Sequence, residues 1–198
     1  MEPTLAIGIV VASVREGRRG EAFGRWIHAL VAERPNIRPV LLDLKEWPLP
    51  AYGLRDSPMA AERTYAPGTL ERRWADQISA LDGFVIVTPE YSHGYPGALK
   101  NVLDHLYAAW NYKPVGFVSY GGFAAGARAV EQLRLVAIEL RMVPIRDEVN
   151  LRLIGLAVDE DAFPSDELYL KRATAMIDEL LWWTQVMKEA RGRRRQGG

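Results

Sequence analysis

The chain has 198 residues, 25 basic against 25 acidic side chains, and no cysteine. A neutral balance supplies no global field for nucleic acid or an anionic membrane. The missing thiols exclude disulfides, Cys-ligated zinc or iron–sulfur clusters, and thiol catalysis.

The length suits one α/β domain, expected over residues 1–190. Residues 191–198, Arg-Gly-Arg-Arg-Arg-Gln-Gly-Gly, read as a disordered basic tail. Met1-Glu2-Pro3 runs into an apolar segment with no basic leader, so a signal peptide is not expected. No apolar run approaches the roughly 20 residues that span a bilayer. The expectation is a cytoplasmic protein.

In chain order, Ala6 to Val11 is a β-branched apolar run, read as a strand buried on both faces. Phe23, Trp26, Ile27, Leu30 and Val31 mark one face of a helix that ends near Pro35. A second strand is expected at 40–44, a helix at 70–81 and a third strand at 84–88. Leu99, Val102, Leu103, Leu106, Tyr107 and Trp110 predict one continuous helix. A fourth strand falls at 115–118, a helix around 127–140, a fifth strand at 143–151, and a long helix at 165–189. Strands alternating with helices imply a parallel sheet covered on both faces. Five such units predict a flavodoxin-like, doubly wound, five-stranded parallel sheet. The one long irregular stretch is 46–67, with four prolines, of a length that suggests function.

Ligands of such sheets bind at the carboxyl ends of the strands. Three loops there have unusual composition. The first, residues 12–20, contains Ser13, Arg15, Arg18, Arg19 and Gly20 before a helix start, which suits a phosphate. It reads equally as a solvated basic turn. It contains neither a P-loop nor Gly-x-Gly-x-x-Gly. The second is Pro89-Glu-Tyr-Ser-His-Gly-Tyr-Pro96, between the third strand and the next helix, with Pro96 expected as the first helical residue. It suits the edge of a planar hydrogen-bonding ring, or is a rigid connection with no ligand. The third, Ser119-Tyr-Gly-Gly-Phe-Ala-Ala-Gly126, has small residues that permit close approach, or is a flexible glycine loop.

Ser13-x-Arg15-x-Gly17-Arg18, Pro89-Glu-Tyr91 with Pro96-Gly-Ala-Leu-Lys-Asn-Val-Leu-Asp104, and Ser119-Tyr-Gly-Gly122 together resemble the NADPH-dependent FMN reductase family. The resemblance covers about residues 5 to 155. It implies that Ser13, Arg15, Arg18, Arg19 and Gly20 hold the FMN phosphate. It implies that Pro89, Glu90, Tyr91 and Ser92 border the isoalloxazine and ribityl groups, and that Ser119, Tyr120, Gly121 and Gly122 flank the other edge. Ala12 stands where the family usually has Gly, and Ser92-His-Gly94 where many members have Asn-x-Ser.

The implied activity is hydride transfer from NADPH or NADH through bound FMN to a small acceptor such as a quinone, free flavin or azo compound. No side chain is assigned a catalytic role, because the flavin carries the chemistry. Arg15, Arg19 and Arg55 are the candidates for a nucleotide 2′-phosphate. Tyr52, Tyr91, Tyr95, Trp110 and Phe123 are candidates to bound the substrate space. The apolar stripe after the second loop, with Trp182 and Trp183, suggests a homodimer or homotetramer. The rival reading is a flavodoxin-type electron carrier, against which a neutral chain with arginines at the phosphate loop argues. A hydrolase triad fails because His28, His93 and His105 all precede Ser119. Three dispersed histidines make no metal site, and residues 159–161 read as a solvated acidic turn.

Overall fold

A computed structural model describes residues 4–61, 64–159 and 161–196. Met1 to Pro3, Glu160 and the final Gly197-Gly198 of the expected tail lie outside the described residues. Leu5–Val11 forms β1, and its side chains alternate between two cores. Ala6 and Val10 enter one, Ile7 and Ile9 the other, because successive strand residues point to opposite faces. Helix α1 (Gly20–Ala32) follows, then β2 (Ile37–Asp43), the short α2 (Pro58–Ala61) and α3 (Leu70–Ser79). The rest is β3 (Gly83–Pro89), α4 (Gly97–Asp104), β4 (Pro114–Gly121), α5 (Ala127–Glu139), β5 (Val143–Arg152) and α6 (Glu167–Gln196).

All strand pairs are parallel, in the order β2-β1-β3-β4-β5. Central β1, β3 and β4 read as near-continuous apolar runs because helices bury both their faces. One face packs Trp74 and Ile78 of α3, Leu99 and Val102 of α4 and Leu133 of α5 on the sheet. The other packs Phe23, Trp26 and Ile27 of α1 against Met176, Ile177 and Leu180 of α6. The chain leaves β1 toward β2 and returns to β3 on the other side of β1. That reversal opens a crevice at the carboxyl ends of β1 and β3.

Three expectations change. The stripe from Leu99 to Trp110 is not one helix. Tyr107 leaves the helical region (φ −128°, ψ −64°), and the His105 carbonyl accepts from Tyr65 Oη at 2.7 Å. Leu106 and Trp110 still enter the same core as Leu99, which is why the periodicity carried on past the break. The basic segment from Arg191 does not begin a disordered tail: α6 continues to Gln196. Arg191 donates to the Tyr112 carbonyl at 2.7 Å and to Asp82 at 3.1 Å, so its charge has fixed acceptors. Finally, the stretch 46–67 holds α2 and is strapped to α4. Asn101 donates to the Leu49 and Pro50 carbonyls and accepts from Tyr52 N–H, while His105 Nε2 donates to the Pro50 carbonyl at 2.9 Å.

Candidate functional site

The first loop leaves β1 at Val11, where Ala12 N–H donates to the Val87 carbonyl at 2.9 Å. Ala12 is not at positive φ, so nothing there requires Gly. Ser13 is fully buried, with Oγ 2.7 Å from Tyr91 Oη. Arg15 and Arg19 are exposed. Arg19 is the N-cap of α1 but gives its helix no side-chain hydrogen bond, whereas Thr69 caps α3 by accepting from Arg72 N–H. The first-turn amides of α1 therefore face the loop without a side-chain cap, the usual setting for an anion.

Arg18 differs from its neighbours. Its side chain is buried, forms a short ion pair with Asp43 at the end of β2, and lies 3.6 Å from Glu21. Its guanidinium fixes the loop to the sheet, while its Nε has no partner. Asp43 escaped the sequence reading because it lies 25 residues away in the chain.

In the second loop, Tyr91 and Gly94 exchange backbone hydrogen bonds of 2.8 and 2.9 Å across a tight turn. Both central residues, Ser92 (φ 49°) and His93 (φ 69°), sit in the left-handed region, which costs a non-glycine residue energy. Arg128 of α5 holds the turn. Its Nε donates to Glu90 Oε1 at 2.6 Å and its Nη1 to His93 Nε2 at 2.9 Å. Gln132 donates to the His93 carbonyl at 2.9 Å. Arg128 and Gln132 were missed. A carboxylate directly after a buried strand needs a cation, and Arg128, in the first turn after the third loop, was the available signal. Pro96 precedes α4 as an extended N-cap (φ −60°, ψ 141°) and is not its first helical residue.

In the third loop, Ser119 is fully buried, donates to the Ala125 carbonyl at 2.8 Å and accepts from Asn150 at 2.9 Å. Its hydroxyl hydrogen closes the loop on itself and is not directed at a ligand. Gly126 (φ 87°) cannot be replaced freely, since a Cβ would lie 2.6 Å from Ser119 Cβ. Gly122 has open space where a side chain would be, and a Cβ on Gly121 would approach Gly126 N at 3.2 Å. Phe123 is exposed under Arg152, whose guanidinium lies 5.5 Å from the ring centroid. Tyr120 turns toward α1, packs edge-on against Phe23 at 5.2 Å, and ends beside Gly20.

The structure thus brings Ser13, Gly20, Tyr91 and Tyr120 together. It places Glu90 on Arg128, leaves Ser92 exposed at the turn, and removes Trp110 to the core. Among the described residues, three buried side-chain polar atoms lack a partner: Arg18 Nε, Glu90 Oε2 and Tyr120 Oη. Each belongs to a different one of the three loops. A recess of about 220 Å³ adjoins the first loop, lined by Val14, Trp47, Pro48, Leu49, Ala98 and Asn101. A larger cavity of about 790 Å³ lies on the β5 edge among Arg134, Arg146, Glu148 and Arg172. It is a solvent-open polar groove away from the first two loops. The described residues contain no His, Asp and Glu group able to hold a metal ion, and no helix long and apolar enough to cross a membrane.

The 2-1-3-4-5 parallel sheet makes this a flavodoxin-like α/β protein. The chain belongs to the NADPH-dependent FMN reductase family, whose pattern matches residues 5–154. An NAD(P)H-dependent FMN reductase of Schizosaccharomyces pombe is 36% identical over 150 residues, 75% of this chain and 74% of that one. A quinone reductase of Escherichia coli K12 is 32% identical over 149 residues, 71% and 73% of the two chains. Among solved structures, the NAD(P)H:acceptor flavoenzyme FerB of Paracoccus denitrificans shares the fold. Its TM-score is 0.75 at 22% identity, covering 93% of this chain and 99% of FerB. The protein is an NAD(P)H-dependent flavin oxidoreductase that works with FMN.

Proposed function

We propose that the three strand-end loops together hold FMN, and that NAD(P)H and a small flat acceptor use one exposed flavin face in turn. The observation that carries this reading is the placement of the orphaned buried polar atoms, one in each loop. Buried polar groups are otherwise nearly always satisfied, so one unsatisfied atom in each loop suits a ligand that all three loops touch. Held by these loops, FMN would supply hydride chemistry between NADPH or NADH and a quinone, free flavin or azo compound, with donor and acceptor served in turn as in a ping-pong cycle.

The chain's own work is binding and orientation. Ser13, the exposed Arg15 and Arg19, and the uncapped first turn of α1 from Gly20 suit the dianionic phosphate. Pro89, Glu90, Tyr91 and Ser92 border the ring, on a turn that Arg128 and Gln132 hold rigid. The backbone at Gly121 and Gly122 lets a planar group approach closely on the other side. Arg18 and Ser119 act as positioning residues through Asp43 and Ala125. No side chain serves as nucleophile or general acid.

Assembly as a homodimer or homotetramer belongs to the same proposal, as does a cytoplasmic location. The α4 stripe that suggested assembly is absorbed by the chain's own core, since Leu99, Val102 and Leu103 are buried. Trp182, 60% exposed on α6, remains as support.

The test is an anaerobic titration of the FMN-loaded protein with NADPH and then NADH, followed by a quinone. Bleaching of the flavin band and its recovery on adding quinone are expected, and the faster nucleotide names the donor. FMN binding without bleaching by either nucleotide would point to an electron carrier. No FMN binding would overturn the reading of the loops.

A further inference from the structure

Tyr120 was expected at the ring edge, yet its side chain runs the other way. It leaves β4 on the α1 face, packs against Phe23, and brings Oη to the first residue of α1. A Cβ built on Gly20 would lie 2.5 Å from Tyr120 Oη, so the helix start and the phenol fit only because residue 20 is Gly. Tyr120 is 5% exposed, and Oη makes no hydrogen bond of good geometry, although the Ser13 hydroxyl and the Gly20 backbone lie close enough to act on it. An unsatisfied buried phenol is costly unless something completes it.

Burial, and after it the neighbouring Tyr91 phenol, pushes the Tyr120 phenol above its usual value. Ser13, Gly20 and Arg15 pull the other way. These neighbours are the first loop itself. The phenol stays protonated at neutral pH and keeps a hydrogen to donate. The partly exposed Tyr91 places its Oη 2.7 Å from Ser13 Oγ. An anion that displaces the Tyr91 phenol reaches Ser13, the uncapped α1 amides and Tyr120 together.

We infer that Tyr120 is a phosphate-recognition residue, donating its phenol hydrogen to a phosphate monoester at the start of α1 and selecting FMN over unphosphorylated riboflavin. This rests on the proposed FMN site and assigns one residue a task within it. A dianionic acceptor suits the position, since a hydrogen bond to a charged group is stronger than one between neutral groups.

The experiment titrates the flavin-free protein with FMN and with riboflavin, following flavin fluorescence, for the wild type and Tyr120→Phe. The Phe ring keeps the packing on Phe23 and removes only the hydroxyl. The FMN Kd is expected to rise about tenfold, with riboflavin moving less than about twofold. A second variant, Gly20→Ala, drives a methyl group into Oη and should weaken FMN selectively. That effect should largely vanish in the Tyr120→Phe background, because the two act through one contact. Equal losses for FMN and riboflavin would make Tyr120 a packing or ring-edge residue and overturn the assignment, as would no loss for either. A wild-type chain that binds FMN while Tyr120→Phe binds it equally well sinks this inference alone. A wild-type chain that binds no FMN overturns the proposed function along with it.

Discussion

The two ends of the sheet are built on opposite terms. At the amino end, Asp82 accepts from Ala6 N–H at 3.1 Å, from Lys188 at 2.8 Å and from Arg191 at 3.1 Å. Lys113 donates to the Ile78 and Ser79 carbonyls at the end of α3, and Lys188 also reaches the Thr4 carbonyl. Charges there are paired, and they tie α6 to the strand starts. At the carboxyl end, polar atoms of Arg18, Glu90 and Tyr120 are buried without well-formed partners. One end is finished by the protein's own groups. The other is left incomplete, as a binding site must be before its ligand arrives.

The sharpest way to break this division is Asp82→Ala. Removing the acid takes the shared carboxylate from Lys188 and Arg191, whose side chains are 33% and 15% exposed, and leaves them only neutral acceptors such as the Thr4 and Tyr112 carbonyls. Loss of one partner from a largely buried network should cost about 3 kcal/mol, read as a drop in the urea midpoint. FMN affinity should not move, because the substitution lies at the far end of the strands. A small stability loss, or a parallel loss of FMN binding, would end the separation of the two ends.

The same contrast explains what was legible in the residues. β1, β3 and β4 were readable because burial on both faces leaves an unbroken apolar run. Edge strand β2 carries polar residues and Pro39, so only its apolar part, from Val40, was read. The helical stripe through Trp110 misled because burial, not helix, maintained its period. The three loops were found from composition and family resemblance. Side-chain directions within them were not. Arg18 turns to Asp43, Ser119 to Ala125 and Glu90 to Arg128, and each partner is fixed by the packing of strands and helices. Tyr120 could be assigned to a loop but not to a face until the register of β4 was known. The tail misled for a related reason: its composition suggested disorder, while Arg191 has acceptors from residues 82 and 112.

A smaller effect tests the strain at the carboxyl end. Ser92→Gly gives a φ of 49° to the one residue that adopts it freely. Relief of the left-handed penalty, less the extra entropy of Gly in the unfolded chain, should stabilise the protein by about 1 kcal/mol, or ~2 to 4 °C in Tm. FMN affinity should not improve, since the more permissive residue loosens the turn that borders the ring. A lower Tm would mean that Ser92 is not strained in its turn.

The smallest expected effect appears only in alkali, in flavin-free protein. Tyr120 has an ordinary value of 10.0 when unfolded and a raised one when folded, chiefly because burial disfavours the phenolate. Above pH 10 the unfolded chain therefore releases a proton that the folded chain retains. Fewer protons bound in the unfolded state means that unfolding becomes easier as pH rises, so the stabilisation is complete below about pH 10 and declines above it. At about pH 10.5 the loss from this one group should be ~0.8 kcal/mol. Tyr52 and Tyr95 are also raised by burial, and Tyr112 is lowered by Arg141. Those three titrate alike in the wild type and in Tyr120→Phe, so they cancel in the difference. The wild type should lose stability faster than Tyr120→Phe between about pH 10 and 11, measured by urea unfolding at each pH. Parallel profiles would show that the Tyr120 phenol ionises as readily in the fold as in water. A phenol so well solvated would not be waiting for a ligand, and the carboxyl end would have one unfinished group fewer.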